Sequence, residues 1–138
     1  MRDIEFRGKD QTGIMNKDWL YGSLDLTTNS EFPIILCKDR FDNVMHIQVE
    51  KETIGQYVGK EDINDTRIYE GDIVRIETVD NCGNMNGFIG IVVFHDCCFE
   101  LQNIEDSEVF EGLCFYNNED LEVIGNIFDN PNLLEVEE

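Results

Sequence analysis

His95-Asp96-Cys97-Cys98 sets imidazole, carboxylate and thiol groups side by side, and Cys82 and Cys114 supply two further thiols. Groups of this kind hold zinc or drive Cys–His nucleophilic chemistry. The spacing argues against both. On a strand His95 and Cys97 point to one face while Asp96 and Cys98 point to the other. Adjacent cysteines also do not converge on a tetrahedral ion as a spaced C-x-x-C pair does. The expected role of the run is a tight turn entering a strand from Cys97 to Leu101, its thiols behaving as small hydrophobes. His46, the other histidine, falls within an alternating strand pattern, and no nucleophile elbow surrounds any thiol.

The carboxylate pairs Glu61-Asp62, Glu105-Asp106 and Glu119-Asp120 arise readily among 30 acids and are expected in solvated loops. Gly83, Gly87 and Gly90 form neither a P-loop nor a dinucleotide fingerprint. The sequence therefore implies no catalytic residue, no metal and no cofactor. Among the aromatics Trp19, Tyr21, Tyr57 and Tyr69, most such side chains pack into cores. Tyr57 and Tyr69 sit where a connection meets the C-terminal strands. With Asp72 they are the residues expected to contact a partner.

The elements that must position these groups read mostly as strands, because apolar residues recur at a period near two and no long window shows helical spacing. Ile4 and Phe6 alternate with Asp3, Glu5 and Arg7, and Gly8 to Asn16 interrupts them. Trp19 to Leu26 is a second strand. Ser30 to Asp42 fits no single pattern, although Ile34-Ile35-Leu36-Cys37 after Pro33 suits a buried strand, and Val44 to Val49 follows an Asp42-Asn43 turn. Lys51 to Thr66 reads as a structured connection carrying a turn. Beyond it come strands at Asp72 to Thr78, Phe88 to Phe94, Cys97 to Leu101, Leu113 to Tyr116 and Leu121 to Phe128. Asn103 to Glu111 is an acidic loop or one helical turn, and Pro131 closes the regular structure.

Folding 138 residues buries roughly two-thirds of the unfolded surface, which supports a core without disulfide staples. Five unevenly spaced cysteines argue against a disulfide framework. The opening Met1-Arg2-Asp3-Ile4-Glu5-Phe6 lacks the apolar segment of a signal peptide, and no window approaches the roughly 18 apolar residues of a membrane span. The expectation is a cytoplasmic protein with reduced thiols.

Net charge is -20, and all ten Lys and Arg lie between Arg2 and Arg75. Residues 1–75 and 76–138 each hold fifteen acids, so the two stretches carry -5 and -15. Phosphate binding depends on Lys and Arg releasing counterions, so direct nucleic-acid binding by the C-terminal half is disfavoured. Such a surface attracts basic proteins or divalent cations and repels anionic membranes, or it serves solubility alone.

Thr53-Ile54-Gly55-Gln56-Tyr57-Val58-Gly59, followed by Ile68-Tyr69-Glu70-Gly71-Asp72-Ile73-Val74, resembles the signature of the YopX family of phage and prophage proteins. Arg2-Asp3-Ile4-Glu5-Phe6-Arg7 is similar to that family's first strand. Glu122-Val123-Ile124-Gly125-Asn126-Ile127-Phe128-Asp129-Asn130-Pro131 resembles its C-terminal segment. The chain departs at Gly59-Lys60 and Asp62-Ile63-Asn64-Asp65, where Asp65 stands at the family's turn glycine. The resemblance implies a mainly β, YopX-like fold. It is expected as a single domain over 1–138, with a smaller β-rich part at 1–66 packed on an SH3-type small barrel at 67–138. It also implies a phage or prophage origin in a bacterial host, and brings no established activity and no catalytic residues. The expected function is a non-enzymatic module that binds a host or phage protein, with a basic protein among the candidates, through an acidic surface. A nucleic-acid-associated SH3-like module is the alternative, followed by an enzyme or a metal-binding protein.

Overall fold

The computed structural model describes residues 2–27 and 31–135, so Ser30, where the ambiguous stretch begins, lies outside the described residues. The chain is mainly β: among the described residues there is no α-helix, only short 3-10 turns at Lys51–Thr53, Leu113–Phe115, Asn118–Asp120 and Pro131–Leu134. Its strands are β1 (Phe6–Lys9), β2 (Trp19–Asp25), β3 (Ile34–Lys38), β4 (Val44–Gln48), β5 (Gly55–Glu61), β6 (Arg67–Tyr69), β7 (Asp72–Val79), β8 (Met85–His95), β9 (Cys98–Asn103), β10 (Phe110–Gly112) and β11 (Leu121–Asn126). They form two sheets, one in the order β4-β3-β2-β1-β5-β6 and one in the order β10-β9-β8-β7-β11. The chain divides into two compact units, Met1–Tyr57 and Val58–Glu138, and β5 runs across that division.

In the first unit the antiparallel ladders of β1 with β2, β2 with β3 and β3 with β4 follow from alternation, which places Leu20, Ile35, Cys37 and Ile47 inward. Val49 completes this buried cluster, with Phe6, Met15, Leu24 and Ile54 packed against it. Gly22 is required by close approach: a Cβ there would stand 1.9 Å from the carbonyl oxygen of Leu36. Asp10, fully buried, organises the loop between β1 and β2. One carboxylate oxygen accepts from the Thr12 N–H and hydroxyl at 2.9 and 2.6 Å, and the other from the Met15 N–H at 2.7 Å. Burial pushes this carboxyl up, but the hydrogen bonds from Thr12, Met15 and Lys17 outweigh it and hold its pKa at about 2.

The second unit is built on the β7-β8-β9-β10 meander, and β11 returns to pair antiparallel with β7, with an irregularity between Val123 and Gly125. Ile68, Val74, Ile76, Val92, Leu101, Leu113 and Leu121 form its core. A fully buried side chain of this kind stabilises the fold by about 1.5–3 kcal/mol. No ladder joins β10 to β11 among the described residues, so the sheet is open at those two edges.

Several local readings differ from the sequence expectation, among them β1, which runs on through Gly8 and Lys9 where an interruption was expected. Lys51 to Thr66 is not only a connection, because it contains β5; the glycines at 55 and 59 hid that strand, Gly59 sitting at a φ of +89°. Leu113–Phe115 is a 3-10 turn rather than a strand, since only Leu113 is buried and Phe115 is 83% exposed. The strand lies just before it, at Phe110–Gly112, overlapping the end of the Asn103 to Glu111 stretch expected as loop or helical turn.

Candidate functional site

The turn that carries imidazole and thiols is tighter than alternation implied. Asp96 and Cys97 both have positive φ, 51° and 68°, the conformation of a two-residue hairpin turn matched to strand twist. His95 and Cys98, which strand alternation would send to opposite faces, therefore become direct cross-strand partners. Glu100 sits beneath them. Its Oε1 accepts from the Cys98 Sγ at 3.3 Å and lies 3.3 Å from His95 Nδ1, while the imidazole stacks on Phe110 with centroids 3.8 Å apart. The hydrogen bond to Glu100, burial and the charges of Glu100 and Asp96 push the Cys98 thiol up, away from the thiolate a nucleophile needs. No three His, Cys, Asp or Glu side chains among the described residues converge in a way that could hold a metal ion. The cluster locks a hairpin.

Tyr57, Tyr69 and Asp72, expected to contact a partner, are sealed in, with exposures of 9%, 3% and 2%. Their block has a structural task. Gly71, at a φ of +90°, takes a bend that strains any side chain; its N–H donates to the Val92 carbonyl at 2.9 Å and its own carbonyl accepts from Ile127 N–H at 2.9 Å. Asp72 Oδ2 accepts from the Tyr69 N–H at 2.8 Å, closing the bend from within. The motif that stands out in the sequence is thus a clamp joining β7, β8 and the chain after β11.

Asp62, expected in a solvated loop, is buried as well. Its Oδ1 accepts from the N–H groups of Asn64 and Thr66, both at 2.9 Å, and its Oδ2 from the Val123 N–H at 2.8 Å, so one carboxylate holds the β5–β6 turn and the edge of β11. Asp65 in that turn has a φ of 60°, the conformation glycine takes most easily.

The second unit is strongly acidic in sequence, although Asp62 and Asp72 are buried. Val58–Glu138 contains twenty acids against Lys60, Arg67 and Arg75. Arg75 is partly spent, its guanidinium lying 3.1 Å from Glu122 on β11. Two open clefts flank the outer face of β7 at this point, of about 250 and 190 Å³, and both are bordered by Arg75 and Glu77. The first is floored by Gly87 and Ile89 of β8 and walled by Ile104 and Glu105; the second is lined by Ile63, Glu119, Asp120 and Glu122. Sequence reasoning missed these clefts, because their residues come from five separated stretches and share no local pattern.

A family model described as YopX protein matches residues 5–135. The chain belongs to the YopX family. Two solved structures share the fold. YopX from Bacillus subtilis superposes with a TM-score of 0.57 at 18% identity, with both chains covered in full. Protein EF1440 from Enterococcus faecalis gives 0.53 at 22% identity, covering 98% of this chain and all of its own. No curated protein matches the chain. No helix among the described residues is long and apolar enough to cross a membrane.

Proposed function

We propose that this YopX-family protein is a non-enzymatic accessory protein of phage or prophage origin, working in the bacterial cytoplasm, whose second unit docks a basic host or phage protein. The observation that carries this reading is the charge of the second unit, twenty acids against three bases, with no Lys or Arg after Arg75. A one-signed surface speeds encounter with a partner of opposite sign and suppresses wrong partners. The five-stranded sheet supports an SH3-type reading of this unit. A four-stranded meander is followed by 3-10 turns, after which the fifth strand returns beside the first, in the order β10-β9-β8-β7-β11. Fold alone does not name a partner. Tyr57, Tyr69 and Asp72 are buried in the free chain, so the docking surface is sought among the exposed groups of the second unit.

The same field repels phosphate, which weighs against nucleic acid as the partner of this unit. In the first unit, Arg7 and Lys9 are directed at Trp19, 4.5 and 5.4 Å from its ring centroid. The deciding experiment is affinity capture from host lysate with mass spectrometry, followed by titration of the purified pair at rising salt. A basic partner whose affinity falls at least about tenfold as the screening length shrinks from about 30 to about 8 Å is the expected result. An affinity indifferent to salt, or the recovery of no basic partner, overturns the reading.

A further inference from the structure

Neighbouring strands lie about 4.8 Å apart, so the clefts on the β8 and β11 sides of β7 are separated by about 10 Å. Gly87 is what opens the first. It faces Glu77 across the ladder with no side chain, and a Cβ on it would stand 2.8 Å from the Ile76 carbonyl oxygen, so the sheet itself cannot fill that space. Ile89, the cross-strand partner of Arg75, and Ile104 give this cleft apolar sides, and Ile63, 54% exposed, does the same in the second. Around these apolar groups stand Glu77, Glu105, Glu119, Asp120 and Glu122, and Arg75 is the one cation lining either cleft among the described residues. An occupant must bring apolar groups to these isoleucines and positive charge to the surrounding acids. A free cation satisfies only the second demand, and a neutral apolar ligand only the first.

We infer that the paired clefts across β7 receive an extended segment of a basic protein, with apolar side chains at positions i and i+3 seated in the two clefts, Lys or Arg between them meeting Glu77 and Lys or Arg beyond the first cleft meeting Glu105. In a three-residue-per-turn extended chain those two apolar side chains lie on one side about 9 Å apart, close to the separation of the clefts. The inference rests on the reading of the second unit as a docking module and adds the site and the form of the ligand.

The probe is a synthetic peptide of repeated Leu-Lys-Pro triplets, titrated by fluorescence anisotropy and by methyl NMR against the whole chain. Repeated Ser-Lys-Pro and Leu-Glu-Pro peptides serve as comparators. Saturable binding of the Leu-Lys-Pro peptide is expected, with shifts at the Ile63, Ile89 and Ile104 methyls. The paired variant Glu77→Lys with Glu105→Lys, at two exposed positions, is expected to weaken it at least about tenfold. The pair Glu50→Lys with Glu52→Lys in the first unit makes the same change of net charge and is expected to leave it within about twofold. Equal binding of the Ser-Lys-Pro peptide, equal losses in the two paired variants, or shifts scattered away from the three isoleucines would each overturn the inference. Failure of the site and failure of the function separate cleanly. A captured basic partner that binds the Glu77→Lys/Glu105→Lys variant undiminished sinks the clefts and leaves the docking role standing. Peptide binding with no captured basic partner does the reverse.

Discussion

Asp62→Ala removes a single side chain that satisfies three backbone donors, and the three losses are unequal. Asn64 and Thr66 lie in an exposed turn, where water can replace the carboxylate at their N–H groups. Val123 lies part-buried on β11, 61 residues away in sequence, and its N–H points at the space the carboxylate vacates. A hydrogen bond to a charged group contributes about 1.5–3 kcal/mol, and a buried donor left without a partner costs about 1–3 kcal/mol. Counting the Val123 bond in full and the two turn bonds as largely replaced gives a loss of about 2–4 kcal/mol. At about 4 °C per kcal/mol for a chain of this size, the melting temperature should fall by about 8–16 °C. Calorimetry and urea melts measure the total, and hydrogen exchange at the Val123 amide reads the site directly. Asp62→Asn, which keeps the shape and one acceptor oxygen, should recover part of the loss. A change in stability below about 0.5 kcal/mol for Asp62→Ala, with the Val123 amide as protected as before, would refute the assignment of this carboxylate as a tie between the turn and β11.

Asp65→Gly should stabilise the protein by up to about 1 kcal/mol in urea melts, because glycine takes the φ of 60° without a Cβ penalty; a destabilised variant would mean that the Asp65 side chain has a task of its own. For Asp10 the folded pKa lies below the usual 3.8, so its stabilising contribution is complete above about pH 4 and drains away as pH falls toward 2; the Thr12 and Met15 amide resonances should shift together across that window, and a midpoint near 4 would contradict the cage of hydrogen bonds. Cys98 should be alkylated slowly at neutral pH, and Glu100→Gln should speed it by withdrawing both the acceptor and its charge, which peptide mapping by mass spectrometry would follow; an unchanged rate would remove Glu100 as the cause.

Period-two patterning makes the strands legible wherever one face is packed. Val44–Gln48 and Asp72–Val79 begin where alternation places them, and Phe88 to Phe94 lies inside the longer β8. It falters where glycine weakens the signal, as in β5, and where an apolar run is not a strand, as at Leu113–Phe115. Family membership is legible because the Tyr69 to Val74 block encodes a bend that only glycine at 71 takes without strain. The exposure of the same block is not legible: two tyrosines beside an acid read as a surface to be recognised, yet all three side chains are buried, and the Asp72 carboxylate closes the bend at Tyr69. Asp62 shows the converse. Nothing in Glu61-Asp62 distinguishes it from the other acid pairs, because its role depends on Val123. The clefts flanking β7 are illegible for a related reason, since they exist only once β8, β11 and the loop after β9 have been brought to one strand.

The return of β11 to β7 also sets a timetable. Local meanders such as β7-β8-β9 close quickly, whereas a pairing between strands separated by residues 80–120 must wait for chain that has not yet been made. On the ribosome the β11-facing edge of β7, with Ile73, Val74 and Ile76 in its run, stays open until the last strand emerges. A truncation before Leu121 would make that waiting state permanent. In that state the net negative charge of this part of the chain opposes edge-to-edge pairing between neighbouring copies.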